Sequence, residues 1–205
     1  MQETKGISPY KEKLKSKILD TAMAAFKQHG IRAVKMDDMV TQLGISKRTL
    51  YEIYENKEIL LYECVVDEMR KREENLRQEL VPCSNVMEIL LTVYKKKVVE
   101  FKQTNPSFYS DIVKYPRVQR YLNQQNLRTR ENMKIFFVRG VEEGFFRHDL
   151  NYDLTGRLFD ALGRYVQENE LYRQFTIEEI FNNLVFVTLR GLCTEKGIQA
   201  IDKML

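Results

Sequence analysis

Between Met36 and Leu61 the chain reads MDDMVTQLGISKRTLYEIYENKEILL, and its punctuation leaves the backbone little freedom. Met36, Met39, Val40 and Leu43 fall at i, i+3, i+4 and i+7, one face of a short helix, and Asp37 and Asp38 lie in its first turn, where the dipole favours carboxylates. Gly44 ends that helix, Ile45 is apolar enough to enter a core, and Ser46 is placed to cap the next helix. Leu50 and Tyr54 then form a buried i, i+4 pair. Two short helices joined by about three residues with a glycine predict a helix-turn-helix, whose second helix is built to enter a DNA major groove.

With Leu50 and Tyr54 inward, Lys47, Arg48, Tyr51 and Glu52 or Glu55 point outward. Lysine and arginine neutralise phosphate or donate to guanine edges, and tyrosine offers a ring to a thymine methyl and a hydroxyl to phosphate. Charge distribution agrees. The formal net charge is only +4, yet Met1 to Met36 holds eight cations against three carboxylates. Such a lysine-rich start is equally consistent with a solvated helix face.

The run Gly44-Ile45-Ser46-Lys47-Arg48-Thr49-Leu50-Tyr51, followed by Tyr54, Lys57, Glu58 and Leu60, resembles the signature of the TetR family of transcriptional regulators. The likeness spans roughly Leu14 to Leu61. It implies that Lys35, Lys47, Arg48, Thr49 and Tyr51 meet DNA, with Lys57 holding a phosphate at the N-terminus of a fourth helix, where free backbone N–H groups also favour an anion. Three positions depart from the family pattern. Lys35 stands where a serine or threonine usually caps the second helix, Asp37 where a basic or neutral residue is common, and Ile53 where a histidine or tyrosine often touches the backbone of DNA.

Elsewhere the periodicity is helical throughout, and the fold class expected is all-α. Leu14, Ile18, Ala22, Ala25 and Phe26 predict a first helix stopped by Gly30. A fourth helix runs from Lys57 to about Glu79. Asn85 with Glu88 opens another that ends at Asn105-Pro106. A short helix spans Ser107 to Val113, and a long one runs from Pro116 to about Glu143 before Gly144. Asp153 is expected to cap the next helix, and Thr176 with Glu179 the last one, continuous to about Glu195. The division expected is a DNA-binding domain over 1–56 and a helical effector-binding and dimerisation domain over 57–205.

Ile177, Ile180, Phe181, Leu184 to Val187, Leu189 and Leu192 cover more than one face of that last helix. Part of it should meet another chain, unless it is buried in its own core. The resemblance implies a homodimer through the last two long helices, with Leu158, Leu162, Phe181, Leu184, Val185 and Thr188 at the interface. A two-fold dimer suits a palindromic operator. On the long helix after Pro116, Asn126 and Thr129 interrupt an apolar stripe that includes Met133 and Phe137. Buried polar groups need partners, and a small-molecule effector would supply them. Tyr94, Phe101, Phe108, Tyr109 and Tyr165 are the aromatic wall candidates, with plain core packing as the competing explanation for each.

Other classes are disfavoured. No nucleophile elbow, paired-histidine metal helix or glycine-rich phosphate loop occurs, and His29 and His148 are isolated, so no enzyme, metal or cofactor is expected. Cys64, Cys83 and Cys193 are scattered and odd in number, which fits reduced thiols. Met1 to Lys17 lacks the apolar block of a secretory signal, and Leu184 to Val187 is too short to span a bilayer, so a cytoplasmic location is expected. The reading is a dimeric regulator, a repressor released from its operator by a small molecule. The alternative is a helical ligand-binding or scaffold protein of the same fold that has lost DNA binding.

Overall fold

The computed structural model describes residues 9–203, which are almost entirely helical. Helix α1 (Pro9–His29) starts on a proline, whose missing N–H costs nothing in a first turn. It buries Ile18, Ala22, Met23, Ala25 and Phe26. Gly30, at φ +83°, stops it in the left-handed conformation that glycine alone adopts cheaply. Helix α2 (Met36–Leu43) buries Met36, Met39 and Leu43 and ends at Gly44, φ 65°. Helix α3 (Lys47–Ile53) begins at Ser46, whose Oγ accepts the Thr49 N–H at 3.0 Å. Helix α4 (Lys57–Leu80) opens with Asn56 Oδ1 accepting from the Ile59 N–H. It lays Leu60, Leu61, Cys64 and Val65 into the core and is paired to α1 through Lys27–Glu68 and Lys71–Asp20.

Two compact units emerge. The first runs to Glu73 and takes in Ser107–Gln119; the second comprises Glu74–Pro106 and the chain from Arg120 onward. The first is therefore larger than three helices. The start of α4 belongs to it, as does most of α6 (Pro106–Ile112), which buries Phe108, Asp111 and Ile112. A Cβ on Gly30 would lie 2.9 Å from the Ser107 Cβ, so the α1 terminus and α6 touch through a glycine.

The second unit is built on Val86, Met87, Phe137, Phe146, Phe186, Leu189, Leu192, Cys193 and Ile201. Asn85 caps α5 (Val86–Gln103), accepting the Met87 and Glu88 N–H groups. Helix α7 (Pro116–Glu142) ends before Gly144, φ 75°. Its Phe137 stacks on Tyr152 at 4.8 Å. A Cβ at Gly140 would sit 2.1 Å from the Phe146 ring, so that glycine is the seat of an aromatic side chain. Helix α8 (Tyr152–Glu168) is capped by Asn151, which accepts from Asp153 N and Leu154 N, and not by Asp153 as expected. Asp153 lies in the first turn instead, 3.6 Å from Lys134.

The C-terminal region departs most from expectation. After a 3₁₀ turn (Leu171–Arg173), Thr176 and Glu179 do form their capping box. The helix they open is α9 (Ile177–Ile180), followed by a π turn (Phe181–Val185) and α10 (Phe186–Arg190). It stops there. The Arg147 N–H donates to Leu192 O at 2.9 Å and the Thr194 N–H to Phe145 O at 3.0 Å, and this non-local pairing draws residues 191–194 out of the helix. Thr194 then caps a further helix, α11 (Glu195–Asp202), which the sequence reading did not anticipate.

The π turn decides which side chains face inward. On an unbroken α-helix Phe186 would fall on the far side from Ile177, while Val187 would lie on the same side. With the wider turn, Ile177, Ile180, Phe186 and Leu189 are all buried, and Val187 is 58% exposed. Deleting Asn183, whose side chain is exposed, removes the extra residue and swings Phe186 and Leu189 off the core. The expected loss is about 3–5 kcal/mol, that of one large buried aromatic. Thermal unfolding measures it, and an unchanged midpoint would mean the π turn plays no part in phasing the helix.

Candidate nucleic-acid interface

Helix α3 has one buried side and one open side. Leu50 and Tyr54 are buried, and burial pushes the Tyr54 hydroxyl well above its ordinary value. Lys47, Arg48, Tyr51 and Glu52 are exposed, Tyr51 by 40%. Thr49 is half-buried, and its hydroxyl lies 2.7 Å from Ser46 Oγ, so it belongs to the cap that orients the helix. Ile53 is half-buried beside the C-terminal end.

The outward cations are already paired. Lys47 Nζ donates to Asp37 Oδ2 at 2.9 Å and stands 5.8 Å from the centre of the Tyr51 ring. Arg48 Nε donates to Glu52 Oε1 at 2.7 Å. The hydrogen bond to Asp37, reinforced by its charge, holds the Lys47 ammonium above the usual lysine range, and Glu52 does the same for Arg48. Asp37, a departure in the sequence, thus has a definite contact. Lys35 is exposed, and the missing serine or threonine cap is replaced in part by Asp38, whose carboxylate accepts the Lys35 N–H at 2.7 Å. An ammonium cannot accept in return, so only this half of a capping box forms.

Lys57 is placed differently from the sequence expectation. Its ammonium donates to Ile31 O and Val34 O at 2.9 Å each, with Arg32 O at 3.5 Å. Three carbonyls take up its three donors, so the lysine closes the α1–α2 turn instead of standing free for a phosphate. Burial lowers its pKa, partly countered by the charge of Asp111. Asp111 accepts the Arg32 N–H at 2.8 Å from 79 residues further along the chain, and it is itself buried. Sequence reasoning missed Asp111 because nothing local marks it.

The remaining candidates do not converge. Tyr94 lies 5.0 Å from Phe181 and 5.1 Å from Phe186 by ring centres, and Phe137 is fully buried. Met133 packs against the same core, and Phe101 is half-buried. Phe108 and Tyr109 belong to the first unit, edge to face at 5.6 Å. Asn126 and Thr129 are exposed, and Thr129 Oγ1 donates to Gln125 O. The premise of a buried polar gap in α7 is therefore incorrect, because those side chains face solvent. Tyr165 is exposed too, as are Leu154 and Leu158, at 64% and 47%. Of the interface candidates, Leu162, Leu184, Val185 and Thr188 are half-buried, while Phe181 turns inward onto Tyr94.

A serine-capped second helix with a buried Leu-Tyr edge and a basic, aromatic outer edge, set after a short helix and a glycine turn, defines a helix-turn-helix DNA-binding protein. The family model described as "Bacterial regulatory proteins, tetR family" matches residues 18–64. The chain belongs to the TetR family of transcriptional regulators. It is 26% identical over 191 residues to the HTH-type transcriptional repressor KstR2 of Mycobacterium tuberculosis (strain CDC 1551 / Oshkosh), covering 90% of this chain and 94% of that one. Among solved structures, a transcriptional regulator from Saccharomonospora viridis in complex with choline superposes with a TM-score of 0.73 at 17% identity, over 90% of this chain and 100% of that one. A TetR-family regulator from Cytophaga hutchinsonii gives 0.71 at 15%, over 93% and 100%.

Lys57→Met keeps the apolar stem and removes the donors, leaving the carbonyls of Ile31 and Val34 unsatisfied. The expected cost is about 1–3 kcal/mol, read as a lowered unfolding midpoint. A variant as stable as the parent would show that solvent satisfies those carbonyls equally well.

Proposed function

We propose that the protein is a homodimeric, cytoplasmic repressor whose residues 1–56 read a palindromic operator and whose residues 57–205 dimerise and bind a small-molecule effector. The observation that carries the reading is the two-sidedness of α3, with Leu50 and Tyr54 buried and Lys47, Arg48 and Tyr51 exposed on one short, capped helix. Lys47 and Arg48 reach phosphates or guanine edges, Tyr51 meets a thymine methyl or a phosphate, and Lys35 adds a phosphate contact at the start of α2. Thr49 takes part through the capped first turn. Similarity to relatives named as transcriptional repressors supports the sign of regulation.

Dimerisation finds support in α8, where Leu154, Leu158 and Tyr165 are exposed at the i, i+4, i+11 spacing of one helical face, and on α10 in the exposed Val187. An apolar stripe of this kind marks a protein contact. Effector release rests on a relative of the same fold captured with choline. No helix among the described residues is long and apolar enough to cross a membrane. The effector acts by a population shift, favouring dimers whose two recognition helices are spaced wrongly for the operator.

Two measurements test this. A Lys47→Ala/Tyr51→Ala variant should lose at least tenfold in affinity for the operator, about 1.4 kcal/mol or more, in fluorescence anisotropy on duplexes taken from beside its own gene. Equal binding by variant and parent would sink the proposed reading helix. Leu158→Glu places a charge in the α8 stripe and should convert the dimer to monomer in sedimentation velocity. A variant that stays dimeric would put the contact elsewhere.

A further inference from the structure

The reading head is not cationic. From Lys35 to Asn56 there are three cations, Lys35, Lys47 and Arg48, against four carboxylates, Asp37, Asp38, Glu52 and Glu55. The cation excess lies earlier, where Lys11, Lys13 and Lys17 of α1 are exposed. A helix that approaches a polyanion through phosphate attraction alone has no use for carboxylates on its leading face. Yet Glu52 sits there, 62% exposed in its side chain and 2.7 Å from Arg48. An exposed i, i+4 ion pair contributes little to stability, so its position one turn along the outward face calls for another explanation.

We propose that Glu52 is a sequence-determining contact of α3. Its carboxylate accepts from the exocyclic amine of a cytosine or adenine in the major groove, while its bond to Arg48 steers the guanidinium toward the adjacent pair. This rests on the reading above that α3 enters the major groove. The chemistry fits: cytosine N4 and adenine N6 are the amine donors on that groove's edge, and the guanine acceptors O6 and N7 suit Arg48. Asp37 plays the matching part for Lys47, holding it beside Tyr51. On random DNA the two carboxylates meet phosphates and no donor, and binding is weakened. On the right sequence Glu52 gains a donor that a phosphate cannot supply, and the cost becomes selectivity against other sequences.

The test compares the full-length protein with Glu52→Gln and Glu52→Ala, selecting binders from a randomised duplex pool and then titrating the selected and a scrambled duplex at several salt concentrations. Glutamine recognises adenine through N6 and N7, so Glu52→Gln should move the preference at one position per half-site to adenine. Glu52→Ala should erase the preference there. Both should bind the scrambled duplex more tightly, steepen the salt dependence by about one released ion, and lower the specificity ratio roughly tenfold. If the parent enriches no sequence at all, the major-groove reading falls and this inference with it. If the parent enriches a sequence and both variants enrich the same one with unchanged scrambled-duplex affinity, only the assignment of Glu52 is overturned. Circular dichroism and thermal melts of both variants should match the parent, since Glu52 is exposed; a variant that fails to melt like the parent assigns Glu52 a structural role and overturns the proposal.

Discussion

The carbonyls of Ile31, Arg32 and Val34 end the turn between α1 and α2 without helical partners, and the Lys57 ammonium is what gathers them. Its reach joins the start of α4 to that turn, and Asp111 binds the Arg32 N–H of the same turn from α6. Three segments far apart in sequence are thereby tied to one short stretch of backbone. The placement of α2, and with it the angle at which α3 is offered outward, depends on that stretch keeping its shape. Partly buried charged groups serve this purpose well, because an unsatisfied carbonyl or a stranded ammonium is costly.

Division of electrostatic labour follows from where the charges lie. Exposed lysines on α1 supply a field that draws the protein toward nucleic acid regardless of sequence. The α2–α3 surface is nearly balanced, and each of its two outward cations on α3 is held by a carboxylate of its own. Attraction and discrimination are thus assigned to different helices, so changes to one need not disturb the other.

The helix-turn-helix was legible because its signals are local. Gly44, Ser46, the Met36-Met39-Leu43 face and the Leu50-Tyr54 pair each act within a turn or two, and every one of them holds in the structure. What escaped was non-local. Lys57 was assigned to phosphate because its sequence neighbours say nothing of the carbonyls 23 and 26 residues earlier. The α7 stripe misled because Asn126 and Thr129 were judged by period alone, and period does not tell which face a neighbouring helix covers. Asn151 won the cap of α8 over Asp153 because both are good capping residues two positions apart, and only backbone geometry chooses between them. The break at Gly191 comes from the pairing of residues 145–147 with 192–194, which no helical pattern encodes.

The π turn amounts to one residue absorbed by a helix without making a loop. A related chain one residue shorter at this place would follow nearly the same backbone trace and still present a different set of side chains beyond it, since everything after the turn would rotate by about one position. Length variation of this kind is nearly invisible when folds are superposed and conspicuous in surface chemistry. Surface residues after Val185 therefore cannot be transferred from a relative of 26% identity by position in the fold. The register of each half of the rod has to be established first.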